Sequence, residues 1–317
     1  MRPRHAVMLA LLSAVWGASY LLIAEAIEEI PESLVVLGRT GLAALALLAL
    51  IVARGGEAAR LLADIRRRPG DALLLGAVAI AIPFVLITFG ERTVPSGLAA
   101  VLVASAPIFI AILAPFLDRS EIMSPAQWTG LMVGIAGVAL LVGVEQIGSA
   151  GELLGALAMI GAAASYGLSG FILKRRYHGY PPIVTTFFSV AAAAVLVLPA
   201  AAAQPPDGAP GPVAVLAVVA LALVGTAWAF VVYFRLIAEI GVGRASVVAY
   251  TIPPVALAYG WALRDEAITP GTVAGMVLIL AGVFLVARGG ARPAPRAAAP
   301  LSWRAGWRSR ATPPGRP

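Results

Sequence analysis

The chain contains no cysteine and only two histidines, and just 12% of its residues are charged. The missing cysteines exclude disulfides, thiolate metal sites and redox thiols. His5 and His178 both lie among basic residues at the ends of apolar runs. They read as interfacial histidines, so neither a histidine metal site nor a His-dependent triad is expected. Soluble domains carry about 25% charged residues. Here 60% of the chain is hydrophobic and the mean hydropathy is +0.92, a composition that belongs in lipid.

Acidic residues are absent from the middle of every apolar run. Glu91 and Glu239 come nearest, and both fall at run ends. A proton-coupled antiporter with a central carboxylate is therefore disfavoured, and a facilitator or exchanger driven by the substrate gradient fits better. The clustered acids and metal motifs of membrane enzymes are missing too, as are pore-lining charge rings. The sequence thus gives no catalytic residue, no metal ligand and no cofactor; a channel is the alternative to a carrier, and an enzyme ranks last. The net charge of +7 is spread between apolar runs and not over one soluble face, which argues against a nucleic-acid partner.

What the sequence has is long apolar runs. Ten stretches able to cross about 30 Å of hydrocarbon occur near 6–24, 34–53, 72–90, 97–117, 126–144, 152–173, 182–203, 213–236, 245–263 and 270–287. None alternates strictly, so each predicts a transmembrane helix and not a barrel strand. The first run is too long for a typical signal-peptide core, and Ala24-Glu25-Ala26 behind it is read as uncleaved. With the N-terminus placed in the cytoplasm, 20 of the 23 Lys and Arg fall on the cytoplasmic side, leaving Arg39, Arg92 and Arg264. The outer loops 25–32, 145–151 and 204–212 hold no basic residue, so both termini are expected inside.

The runs are duplicated. Residues 121–141 return as 266–286 with seven of 21 positions identical, where chance gives about two in a chain of this composition. A shift of 146 extends the match to Gly97/Gly243, Val101/Val247, Pro107/Pro253 and Ala18-Ser19-Tyr20/Ala164-Ser165-Tyr166. Five spans per copy is an odd number, so the second copy enters the membrane upside down. The expected fold is all-α and integral to the membrane, ten helices in a 5+5 inverted-topology repeat. The expected units are 1–146, 147–287 and a basic, Pro-rich cytoplasmic tail, 288–317, whose composition argues against a fold of its own.

Trp16-Gly17 in the first span, Arg39 in the second, Pro107 in the fourth, and Glu121, Ser124, Gly130 and Gly137 around the fifth form an ordered pattern. The second copy keeps Pro253, Glu266, Thr269, Gly275 and Gly282, but has Ala162-Ala163 for Trp-Gly and no counterpart of Arg39. This order within a duplicated ten-span chain resembles the EamA-like branch of the drug/metabolite transporter superfamily, over about 6–287. The resemblance implies a ten-helix inverted-repeat carrier of a small metabolite in the cell (inner) membrane, commonly an exporter of amino acids or related compounds.

Candidate pathway residues follow from polarity at depth. Arg39 is the one ionisable residue clearly inside a span. It is open to ligand contact, or to anchoring on Glu25, Glu28 and Glu29 or on backbone carbonyls, since at about 7 Å of depth it can snorkel. Pro83, Pro107, Pro253 and Pro254 interrupt helices and free carbonyls, which fits a hinge or cavity role, with simple tolerated kinks as the alternative. Trp16, Ser19, Tyr20, Ser165, Tyr166, Trp228 and Tyr250 supply the remaining polarity, with interhelical bonding as the alternative reading. Tyr259 and Trp261 suit an interfacial belt equally well. Gly130/Gly134 and Gly271/Gly275 permit close helix approach within one chain or between two, so a homodimer stays open. Ser124-Pro125 and Thr269-Pro270 are expected helix caps, and Glu121 and Glu266 are read as capping residues at the surface, with ion coupling as the alternative.

Overall fold

The computed structural model describes residues 3–53, 67–117, 125–144, 149–177, 180–206, 208–240 and 248–289. Glu121, Ser124, His178, Gly243, Val247, most of loop 54–71 and the tail past 289 lie outside them, so expectations for those residues are not addressed by the structure.

Without water, a backbone in lipid must pair its amides internally, and every regular element of the described residues is a helix. Its ten helical stretches are α1 (Pro3–Ala26), α2 (Glu32–Ala53), α3 (Pro69–Gly90), α4 in two pieces (Ser96–Val103 and Ala106–Leu117) and α5 (Pro125–Val144). The second half has α6 (Ala150–Arg176), α7 (Pro182–Ala202), α8 (Pro212–Ile240), α9 (Val248–Arg264) and α10 (Pro270–Gly289). Seven of them (α1 to α4 and α6 to α8) are long and apolar enough to cross a membrane, while α5 and α10 carry shorter apolar stretches, Pro125–Leu141 and Pro270–Leu285. The protein is an all-α, multi-span membrane protein.

The helix partners keep the same pattern when the halves are exchanged. α1 packs on α9 and α8 as α6 packs on α4 and α3, while α2 meets α7 and α5 meets α10. The α5–α10 pair is packed most closely, because glycine removes the side chains between the two backbones. A Cβ on Gly282 would lie 2.5 Å from the Gly134 nitrogen and 2.6 Å from the Gly130 oxygen; one on Gly137 would lie 2.8 Å from the Ile279 nitrogen. Later residues of α5 meet earlier residues of α10, so the two run antiparallel. The glycine faces therefore fill each other within one chain. In lipid no hydrophobic force drives helices together, so close van der Waals contact of this kind sets the packing.

Local sequence decides where helices start and bend. Thr269 Oγ1 accepts from the Thr272 N–H at 3.1 Å ahead of Pro270, as its sequence predicts. Ser149 caps α6 in the same way, accepting from Glu152 N. The prolines act unequally. α4 breaks at Ala104–Ser105, just before Pro107, and Ser105 Oγ donates to the Leu102 carbonyl. Pro83 ends a π-bulge at Ala77–Ala81 without breaking α3. α9 runs on through Pro253 and Pro254, contrary to the interruption expected there. α8 carries a second π-bulge, Leu223–Trp228, with no proline in it. The two bulges are 146 residues apart, the spacing of the repeat.

Each end of the bundle is tied by polar contacts. At one end Arg264 pairs with Glu25 and Glu28, Arg92 with Glu32 at 3.0 Å, and the Gly211 N–H donates to Glu29. At the other, Glu239 accepts from Arg4 and Arg235 and pairs with His5, while Arg176 meets Asp71. The bonds from Arg235 and His5 hold the exposed Glu239 carboxyl below its ordinary range.

Gly282→Ala should force α5 and α10 apart and destabilise the fold by about 1–3 kcal/mol, an overpacking cost. Gly41→Ala, with nothing within 4 Å of the added Cβ, serves as the control, carrying only the helix-propensity gain of about 0.5–1 kcal/mol. Thermal unfolding of the two detergent-solubilised variants checks this; equal midpoints would remove the seam from the packing account.

Candidate functional site

The two π-bulges organise the polar centre. A bulge shifts the hydrogen-bond ladder by one residue and strands carbonyls that lipid cannot satisfy. Ser165 Oγ, on α6, donates to the Val78 carbonyl in the α3 bulge at 2.7 Å. Trp16 Nε1, on α1, donates to the Gly225 carbonyl in the α8 bulge at 3.1 Å. Each bulge is thus capped by the first helix of the other half. The Trp16 ring also packs edge-on to Phe230 and Tyr233, with centroids 5.6 and 5.2 Å away. Its neighbour Gly17 leaves room for α9, since a Cβ there would sit 2.7 Å from Val255 Cγ1. That accounts for the Trp-Gly pair: one residue reaches α8, the other lets α9 approach.

Arg39 lies between the bulges. It is 6% exposed. Its Nε donates to Thr226 Oγ1 at 2.7 Å, and its Cζ stands 3.8 Å from the centroid of the Phe84 ring. Thr226 belongs to the α8 bulge and Phe84 follows the α3 bulge, so the guanidinium bridges both halves. A desolvated cation–π contact contributes about 2 kcal/mol, and a hydrogen bond from a charged donor about 1.5–3 kcal/mol. Arginine has five N–H donors. Among the described residues this one uses only its Nε, leaving the terminal fork without a described acceptor. Tyr20 and Tyr166 fall within its electrostatic reach. The anchoring on Glu25, Glu28 and Glu29 offered by the sequence does not occur, because Arg264 and Gly211 take those acids.

The other sequence candidates divide. Trp16, Ser165, Tyr20 and Tyr166 join the Arg39 region. Ser19 bonds back to its own Val15 carbonyl beside Gly225. Tyr250 packs against the neighbouring apolar cluster, and Pro107 and Pro253 lie on α4 and α9, which flank α6 and α1. Trp228 stands apart, 39% exposed on the same α8 stripe as Val213, Leu216 and Val224. Trp261, 62% exposed, suits an interfacial position. Among the described residues no group of three or more His, Cys, Asp or Glu is placed to hold a metal ion.

Three residues are missing from the set read off the sequence. Thr226 has Ile80 at its repeat position, so duplication does not flag it. Phe84 has Phe230 146 residues on, a signal that was available. Glu91, one residue past α3, sits at a span end in sequence but is only 8% exposed in the fold. Glu266 also departs from a plain surface cap. Its carboxylate accepts from the Ser96 N–H and Oγ at 2.8 and 2.6 Å and from the Gly97 N–H at 2.9 Å, so it caps α4 and not its own helix. Asp265, at φ 52°, turns the chain so that Glu266 can reach there.

Comparison with known proteins agrees with this architecture. The model of the EamA-like transporter family matches residues 4–143 and again 153–288. The chain is 25% identical to the "Uncharacterized transporter YoaV" of Bacillus subtilis over 285 residues, covering 88% of this chain and 96% of that protein. It is 32% identical to a Streptantibioticus cattleyicolor protein named "Probable terminal-alkyne amino-acid exporter" over 216 residues, 68% of this chain and 72% of that one. A solved crystal structure with 21% identity superposes with a TM-score of 0.65 over 92% of this chain and all of its own, a likeness of fold. With both halves matched in turn, the chain belongs to the EamA-like transporter family and is a small-molecule membrane transporter, not an enzyme.

Proposed function

We propose that the chain is an alternating-access carrier made of two inverted repeats, 1–146 and 147–287, that moves a carboxylate-bearing metabolite of the amino-acid class out of the cell across the inner membrane. The observation that carries this is Arg39: a buried guanidinium, held between the two repeat-related bulges, whose terminal fork has no described acceptor. A planar fork of this kind matches a carboxylate with two parallel hydrogen bonds. Tyr20 and Tyr166 supply hydroxyls from α1 and α6, the equivalent helices of the two halves. The relative named "Probable terminal-alkyne amino-acid exporter" agrees by its name with that direction and substrate class.

Inversion is supported by the antiparallel course of α5 and α10 and by helix pairing that survives exchange of the halves. Charge placement orients the whole. The end holding Glu25, Glu28, Glu29 and Glu32 faces outward; the end holding Arg4, Arg176 and Arg235 faces the cytoplasm, with both termini and the 288–317 tail. A carrier of this design needs one end to open while the other stays closed, and the ion pairs at the two ends are the contacts that would exchange.

Arg39→Ala should raise the KM for carboxylate substrates roughly 10–100-fold, the loss of a charge-assisted pair. Arg39→Lys should fall between, since it keeps the charge but not the fork. Counterflow in proteoliposomes against a panel of amino acids, their esters and their amides reads this; equal kinetics in all three proteins would remove Arg39 from the site. Saturation in the same assay separates carrier from channel, because linear flux would contradict a carrier.

The orientation is open to a second measurement. The chain is naturally Cys-free, so single cysteines can be introduced without background. A cysteine in 54–71 should resist a membrane-impermeant maleimide applied to intact cells, and one in 204–212 should react. The reverse pattern would overturn the orientation.

A further inference from the structure

Glu91 has no part in the substrate reading, yet it is the most unusual side chain in the bundle. It lies in the turn after α3, 8% exposed, and among the described residues neither carboxylate oxygen has a hydrogen-bond donor. Two cations lie within its electrostatic reach, Arg264, which pairs with Glu25 and Glu28, and Arg39, which bonds Thr226 through Nε; among the described residues neither donates to it. The other charged group facing it is Glu266, which caps α4 and carries like charge. Tyr20 on α1 faces it as well. The C-terminal end of α3 adds partial negative charge where the carboxylate begins. Gly90, just before it, is pinned against Gly155 and Met159 of α6, leaving the turn no slack to lift the side chain into water.

An ionised carboxylate here would be desolvated and without a described donor, and the like charge on Glu266 offsets part of the attraction of Arg39 and Arg264. Such groups resolve the conflict by holding a proton. Burial first, and the Glu266 charge second, push the Glu91 carboxyl well above the usual carboxylate range.

We propose that Glu91 is a proton-binding site of the carrier, occupied when the Glu25–Arg264 end is closed and emptied when that end opens. On closing, a hydronium ion at that end gives its proton to one carboxylate oxygen of Glu91 and leaves as water. On opening, water solvates the carboxylate and the proton returns to it. A carboxyl that binds its proton more tightly when closed than when open couples the two equilibria, so rising pH favours opening. Each pKa unit of difference between the states is a tenfold change in their ratio. This places a titratable group in the transport cycle that the apolar spans themselves do not contain.

Two readouts test it, and neither needs the substrate. Infrared spectra of the reconstituted protein near pH 7 should contain a protonated-carboxyl band that disappears in Glu91→Gln. Val94→Cys, buried in the same turn, reports opening through its rate of maleimide labelling. The ratio of that rate in the Glu91 background to the rate with Glu91→Gln cancels thiol ionisation. It should rise at least about fivefold between roughly pH 6 and pH 9, the range over which documented buried Glu residues titrate. Glu91→Asp keeps a titratable carboxyl and should retain the pH dependence. A missing band, or a ratio flat with pH, would overturn the proposal. Opening is borrowed from the alternating-access reading, but the band is independent of it, and saturable counterflow tests that reading separately.

Discussion

Lipid offers a backbone no hydrogen-bond partner, and this obligation shapes the centre of the protein. Among the described helices, α3 and α8 each depart from it at a π-bulge, which leaves a carbonyl stranded. The repair comes from Ser165 and Trp16, side chains on the first helix of the opposite half. The halves are consequently bound to each other through local defects, and a defect needs its partner helix at a fixed height and rotation. Arg39 occupies the space these defects make, bonded to a residue inside one and stacked on a residue after the other.

That arrangement turns an expensive residue into an organising one. A guanidinium at membrane depth is tolerated only where groups of the protein replace its water. Here a hydroxyl and an aromatic face do so in part, and the remaining donors supply the recognition element of the proposed site. The ends of the bundle follow a different logic. Exposed ion pairs contribute little to stability, with a median near 0–1 kcal/mol. Contacts that weak can hold an end shut and still release it, which suits them to a gate more than to a foundation.

Most of the architecture was legible in the sequence because it is written in period and composition: ten apolar runs, a 145–146-residue echo, glycine spacing, and the hydroxyl-proline cap at Thr269-Pro270. The Arg39 region was half legible. Polarity at depth picked out Trp16, Ser165 and Arg39, but which carbonyl or hydroxyl each would meet depends on the bulges. The α8 bulge contains no proline to announce it. Pro253 shows the converse, a strong local signal overridden when α9 continues through it. Glu91 was hidden for another reason. Sequence position measures distance along the chain from a span end, whereas burial depends on what α4, α6 and α9 stack over that end.

The glycine seam between α5 and α10 shares a property with the α2–α7 contact. In each a helix touches its own repeat counterpart, so exchanging the roles of the two halves returns the contact to itself. Contacts such as Trp16 with Gly225 or Arg39 with Thr226 have no such mirror, because Ala162 and the missing second arginine leave the other half without them. In the proposed alternating-access cycle, whatever the seam contributes would be the same in both extreme conformations and would cancel from their difference. It would work as a fulcrum, and the direction in which the molecule prefers to rest would be set by its unpaired residues.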